Sequence, residues 1–209
     1  MNHIWYQNKK IASSKIVCIG RNYLRHIEEL GNEIPQKSVI FCKPNSAISP
    51  IIYDFGSNCR FEGELCFLIE ENKAIGVGFG FDLTKVDEQE YAKAKGLPWE
   101  RAKAFDASAV MSEFVKLERG VKGLHFKLYQ NGTLVQNGGY DLMIHKPEQI
   151  IKRVNEFMSF EDGDILMSGT PEGVGSFCVG DTFVAKVYDK DTLLLESRFV
   201  VKPHPRGDK

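Results

Sequence analysis

The stretch Glu62-Gly63-Glu64-Leu65-Cys66-Phe67-Leu68-Ile69, followed closely by Ile75-Gly76-Val77-Gly78-Phe79-Gly80-Phe81-Asp82, decides how this chain folds. Both segments are strand-length apolar runs bounded by polar or turn-forming residues. Side chains on a strand alternate faces, so Glu62 and Glu64 share one side of a sheet. Two like charges there repel, unless a divalent cation lies between them. Hard carboxylate oxygens select Mg²⁺, Ca²⁺ or Mn²⁺ over thiophilic metals. Asp82, at the end of the second run, is placed where strands commonly present ligands. Solvent-facing acids on a half-buried strand, and an aspartate capping a following helix, are the competing readings of the same residues.

Outward from this core, further apolar runs at 15–19, 38–42, 126–129, 165–167, 182–187 and 193–201 also have strand length. Asn131-Gly132 between two of them is a type I′ hairpin signal. Helices are fewer. Residues 22–30 read as one closed by Gly31, residues 84–95 as another with Thr84-Lys85-Val86-Asp87 in capping-box position and Gly96 as its stop, and residues 147–158 as a third. Many strands with a few short helices predict an α+β chain that is predominantly β. No repeat or linker divides the 209 residues, so a single catalytic domain is expected over 1–209, with residues 1–14 as an N-terminal extension or hairpin.

With 43% hydrophobic and 26% charged residues, the composition is that of a soluble globular protein. A net charge of −1 offers no broad basic face for nucleic acid. No run reaches membrane-spanning length, and residues 1–10 lack the apolar core of a signal peptide. The five cysteines are widely spaced without a Cys-x-x-Cys, which argues against a disulfide framework or zinc knuckle and for a cytoplasmic protein. The expected partner is a small molecule.

Three further constellations carry chemistry. Lys103 stands between apolar neighbours in Ala102-Lys103-Ala104-Phe105-Asp106, where a fixed ammonium would offset the charge of clustered acids, although an ordinary surface lysine fits the segment as well. His26 and Glu29 lie three apart on the first helix, so a carboxylate can orient an imidazole for proton transfer; a solvated charged face is the alternative. Gly169-Thr170-Pro171-Glu172-Gly173-Val174-Gly175 follows a strand, and its backbone amides can hold a carboxylate while Thr170 adds a hydroxyl. It is not a Walker loop, because no Gly-Lys-Ser/Thr follows. Gly76, Gly78 and Gly80 have the wrong spacing for a dinucleotide fingerprint and predict one flat strand face. No Gly-x-Ser-x-Gly elbow suggests covalent catalysis.

Taken in order, Gly20-Arg21-Asn22-Tyr23-x-x-His26-x-x-Glu29, Phe41-Cys42-Lys43-Pro44, Glu62-x-Glu64-Leu65, Asp82-Leu83-Thr84, Gly96-Leu97-Pro98-Trp99, Ala102-Lys103-Ala104-Phe105-Asp106 and Gly169-Thr170-Pro171-x-Gly173-Val174-Gly175 resemble the fumarylacetoacetate hydrolase family. The register matches from about residue 15 to 201, and looks most like the short acylpyruvase and oxaloacetate decarboxylase or tautomerase branch. The resemblance implies a mixed β-sandwich roll, a homodimer, and Mg²⁺ or Mn²⁺ held by Glu62, Glu64 and Asp82. It implies that Lys103 faces substrate, that His26 and Glu29 lie on a lid, and that Thr170 contacts substrate. Arg21, Lys43 and Gln89 become secondary pocket candidates. Departures from the family pattern fall at Arg60, where a histidine or other polar residue is common, at Cys66, and at Ala109-Val110, which is expected to alter a substrate-side loop.

The activity implied is metal-dependent hydrolysis of acylpyruvates to pyruvate and a carboxylic acid, through a pyruvate enolate at the ion. Oxaloacetate decarboxylation or keto-enol tautomerisation on the same site is the alternative. A non-catalytic metal-binding β protein is the reading from a different class.

Overall fold

Glycine at every second position of Lys73–Asp82 leaves Val77, Phe79 and Phe81 on one face of that strand and little side-chain bulk on the other. The strand pairs antiparallel with Gly63–Glu70, setting Glu64 opposite Gly80 and Gly63 opposite Phe81. These two strands are the centre of an eight-stranded mixed sheet, which runs Val39–Pro44, Lys15–Gly20, Ile165–Met167, Gly63–Glu70, Lys73–Asp82, Ala109–Met111 and Ile48–Ser49, with Val115–Lys116 also pairing Lys73–Asp82. The Ile165–Met167/Lys15–Gly20 and Ala109–Met111/Ile48–Ser49 pairs are parallel. The computed structural model describes residues 1–31, 33–56 and 58–205.

A four-stranded antiparallel sheet, Thr133–Gly139, Leu124–Gln130, Thr182–Asp189 and Thr192–Val200, covers the face that carries the phenylalanines. Phe79 meets Phe126 at 5.2 Å between ring centroids, and Phe81 meets Phe183 and Phe199, each at 5.2 Å. Such tilted and edge-on pairs favour the ring quadrupoles and bury large apolar areas. The opposite face holds a second cluster of Ile16, Cys18, Cys66, Leu68, Met111, Phe114, Ile165 and Met167. The N-terminal segment is indeed a hairpin, Ile4–Tyr6 against Lys9–Ile11, and Ile4 joins that second cluster. The glycine face is therefore covered instead of flat and open: a Cβ at Gly76 would meet Tyr6 at 2.9 Å, and one at Gly80 would meet Cys66 Sγ at 2.6 Å. Cys66, a departure from the family pattern, is accommodated by that glycine. Ala109 and Val110 likewise form a buried strand and no substrate-side loop.

Four short helices connect these layers: α1 (Leu24–Glu29), α2 (Val86–Lys95), α3 (Glu100–Lys103) and α4 (Pro147–Val154). Each departs from its expected limits for a local reason. Asn22 is consumed by side-chain hydrogen bonds and lies outside α1. Thr84 and Lys85 form a two-residue strand against Cys59–Phe61, so no capping box exists and α2 begins at Val86. Lys103, in a segment with no helical pattern, ends one turn of helix. α4 stops at Val154, four residues early, with the following backbone in turns. Asn131 and Gly132 both have positive φ, 50° and 83°, as the I′ hairpin requires. No helix among the described residues is long and apolar enough to cross a membrane.

Asp164 fastens the strand that leads toward the site. Its buried carboxylate accepts the Ser14 and Lys15 N–H groups at 3.1 Å each, the Ser14 hydroxyl at 2.7 Å and the Glu161 N–H at 2.9 Å, and pairs with the Lys15 ammonium. Burial alone would raise its pKa, but these donors hold it below the usual carboxylate value. A carboxyl depressed in the folded state stabilises the fold above the unfolded pKa of about 4, and that contribution is lost as pH falls through the folded value. Asp164→Ala should lower stability by about 3 kcal/mol at neutral pH, and the gap to wild type should close in melts recorded toward about pH 2. An equal deficit at every pH would contradict the assigned role.

Candidate metal centre

Glu62 lies between strands Cys59–Phe61 and Gly63–Glu70, and Asp82 ends Lys73–Asp82. The Asp82 N–H donates to the Glu62 carbonyl at 2.8 Å, which ties the two acid-bearing segments together. Glu64 and Asp82 point to the face away from the phenylalanine core, and Glu62 joins them. One carboxylate oxygen from each of the three lies within 4.8 Å of the others. The structure thus converges the acids that sequence placed on separate segments.

Two lysines neutralise part of this charge. Lys103 Nζ donates to Glu62 Oε2 at 2.8 Å, Asp82 Oδ2 at 2.8 Å and Thr84 Oγ1 at 2.6 Å. Thr84 in turn donates to Glu62 Oε1 at 2.7 Å. Burial disfavours the Lys103 ammonium, yet Asp82 and Glu62 outweigh it and raise its pKa well above that of a free lysine. For Asp82, burial is likewise overcome by Lys103 and Lys43, and its pKa is lowered. Glu64 has no cation in contact; burial, then Asp82 and Glu62, push its pKa far up, against the Gly169 N–H that donates to Oε2 at 2.7 Å.

The donor set tests the fit of a cation. Asp82 Oδ1 is buried and ion-paired with Lys43 Nζ at 2.8 Å, while Glu64 is met by a backbone N–H and by no ammonium among the described residues. Three carboxylates that each bring one oxygen within 4.8 Å of the others form an all-oxygen set that suits a hard divalent cation, so Glu62, Glu64 and Asp82 are the residues that would hold it.

The other expected site residues divide. His26 Nδ1 meets Glu29 Oε2 at 3.1 Å; the imidazole is 6% exposed and so stands apart from the solvated charged face, to which Arg25 and Glu28 belong, while Glu29 remains open to solvent. Glu29 Oε1 also accepts the Gly173 N–H at 3.0 Å. The carboxylates held by the 169–175 turn are therefore the protein's own, Glu64 at one end and Glu29 at the other. The Thr170 hydroxyl donates to the Gly63 carbonyl at 2.9 Å, so it can meet a ligand only as an acceptor. Arg21 is half-buried with φ 56°; burial, then Arg21 and Lys103, lower the pKa of Lys93. Lys43 does not reach a pocket. It is fully buried, donating to Ser108 Oγ at 3.0 Å and to the Lys103 carbonyl, so it braces Asp82 and the end of α3. Gln89 meets Lys93 on the surface of α2 and touches none of the acids.

Sequence reasoning missed Gln136 and Asn22. Gln136, 2% exposed, accepts the Gly63 N–H at 2.9 Å and donates to Thr170 Oγ1 at 2.9 Å and the Pro171 carbonyl at 3.0 Å. It joins the Glu62-Gly63-Glu64 backbone to the 169–175 turn. Its signal was a polar residue at an inward strand position. Asn22 donates to the His145 and Ser168 carbonyls at 2.9 and 2.8 Å, fixing the start of α1 beside the same turn. A Cβ at Gly169, where φ is 91°, would strike the Asn22 Cβ at 2.8 Å.

Mn²⁺ titration followed by electron paramagnetic resonance reads the shared site directly. Asp82→Asn should weaken binding by about a hundredfold or more, whereas His26→Ala should leave it within about threefold. Undiminished affinity in Asp82→Asn would mean that the three acids do not share an ion.

Residues 15–201 match the fumarylacetoacetate (FAA) hydrolase C-terminal family. The chain is 39% identical to the oxaloacetate tautomerase YcgM of Escherichia coli K12 over 188 residues, 80% of this chain and 85% of that protein. It is 36% identical to the mitochondrial oxaloacetate tautomerase FAHD1 of Bos taurus over 191 residues, 83% of this chain and 86% of that protein. The crystal structure of a provisional fumarylacetoacetate isomerase/hydrolase from Oleispira antarctica superposes with a TM-score of 0.90 at 34% identity, covering 97% of this chain and 100% of the other. With its mixed β roll, its seven motifs in register and its converging acids, the chain belongs to the fumarylacetoacetate hydrolase family of enzymes.

Proposed function

We propose that this protein interconverts the keto and enol forms of oxaloacetate, with Mg²⁺ or Mn²⁺ held by Glu62, Glu64 and Asp82. The observation that carries the reading is that the amides of one turn hold both an acid of the triad, Glu64, and Glu29, the partner of the buried His26 imidazole. The names of the E. coli and bovine relatives support tautomerisation over acylpyruvate hydrolysis as its use.

A divalent ion bound by the triad would supply Lewis-acid polarisation of the substrate's C2 oxygen. The reaction moves one proton between that oxygen and C3, breaks no carbon–carbon bond and consumes no water. Lys103, charged and 2.8 Å from both Glu62 and Asp82, offsets the negative charge that the C2 oxygen carries once its proton passes to solvent. With Nδ1 of His26 held by Glu29, Nε2 is the nitrogen left to give a proton to C3 on ketonisation and to take it in reverse.

Hydrolysis of an acylpyruvate remains the second reading, because the 3.1 Å His26–Glu29 contact also suits removal of a proton from water. Loss of the C4 carboxylate as CO₂ would require the same residues. Enol-oxaloacetate decay, CO₂ release from oxaloacetate and pyruvate release from acetylpyruvate separate the three. The tautomerase reading expects the highest kcat/KM with enol-oxaloacetate, and His26→Ala should cut its kcat by about 10²-fold or more with KM little changed. Faster turnover of acetylpyruvate would make the protein an acylpyruvase.

A further inference from the structure

Arg60 is exposed, and among the described residues its guanidinium has neither a hydrogen bond nor an ion pair. It lies in the middle strand of the small sheet Thr84–Lys85, Cys59–Phe61 and Gly175–Ser176, directly opposite Thr84 on one side and Ser176 on the other. Cross-strand partners of this kind share a face. Cys59 and Phe61, its neighbours in sequence, are buried on the opposite face. Arg60 therefore stands beside the threonine whose hydroxyl touches both Glu62 and Lys103.

It also lines a hollow of about 670 Å³ with Glu29, Asn58, Val86, Asp87, Glu90 and the Val174–Ser176 end of the turn. Of the three acids there, Glu29 is committed to His26 and Gly173, and Asp87 to Asn58. Glu29 belongs both to this hollow and to the pair proposed to act at C3, so the hollow adjoins the C3 side of the proposed site.

We infer that Arg60 is a specificity-determining residue that pairs with the second carboxylate of a 2-oxo diacid, the C4 carboxylate in oxaloacetate. A guanidinium without a protein partner is suited to a bidentate carboxylate contact. The neutral acetyl group of acetylpyruvate gives it nothing to pair with. The inference rests on the 2-oxo acid reading of the site and narrows the substrates to diacids.

Calorimetric binding to Mg²⁺-loaded protein tests it without turnover, using two probes: oxalate, which ends at C2, and the non-enolisable 3,3-difluoro-oxaloacetate, which carries the distal carboxylate. Arg60→Met should weaken the difluoro diacid by about tenfold or more while moving oxalate by less than about twofold, and Arg60→Lys should fall between. Wild type holding the diacid no better than Arg60→Met, or both probes weakening alike, overturns the inference. Failure of the tautomerase reading is a separate result, read in wild type as absent keto–enol turnover; selective loss of the diacid in Arg60→Met would then still stand.

Discussion

Three carboxylates gathered in a nearly dry place repel one another, and the fold around this centre is arranged to contain that repulsion. Lys103 bridges Glu62 and Asp82, and Lys43 stands behind Asp82 with no exposure to solvent. Glu64 is left to a single backbone amide, and its pKa is pushed up accordingly. Two ammonium groups against three carboxylates leave the site short of positive charge. A divalent cation would complete it, held by the one oxygen that each of the three acids brings within 4.8 Å of the others.

Rigidity for this arrangement comes from behind and from the side. Behind it, the phenylalanines of the two main sheets lock the paired strands that carry Glu64 and Asp82. From the side, the 169–175 turn holds Glu64 through Gly169 and Glu29 through Gly173, and Gln136 staples the turn to Gly63. Acid triad and His–Glu pair are thus set by one backbone segment. A displacement of that segment would move both, so a cation held by the triad and a proton moved by the pair would be linked through its hydrogen bonds.

The sequence made the β-rich fold legible because its apolar runs are strand-length and its glycines and Asn131-Gly132 mark turns. The acid triad was legible from the spacing of Glu62 and Glu64, although Glu62 falls in the break between two strands and only Glu64 stands within the sheet. Helix limits were less so, since Thr84 resembles a capping residue locally while its hydroxyl is claimed by Glu62 and Lys103 from distant parts of the chain. Lys43 looked like a pocket residue by alignment, and only the tertiary structure reveals it as a buried brace. Gln136 carried no motif, and Asn22 stood inside the Gly20–Glu29 motif without a role, because a backbone-binding amide acts through position and not through residue pattern. Arg60 stood out as a departure in sequence, but its lack of a partner is visible only in the fold.

The central claim, an open cation site that also takes a 2-oxo acid, is tested most directly by the melting temperature with Mg²⁺ and oxalate added singly and together. A ligand that binds the folded state only with the ion stabilises by mass action only when both are present. The account predicts a rise with oxalate in the presence of Mg²⁺ and none in its absence. An oxalate shift of equal size without the ion, or no shift with it, would contradict the account.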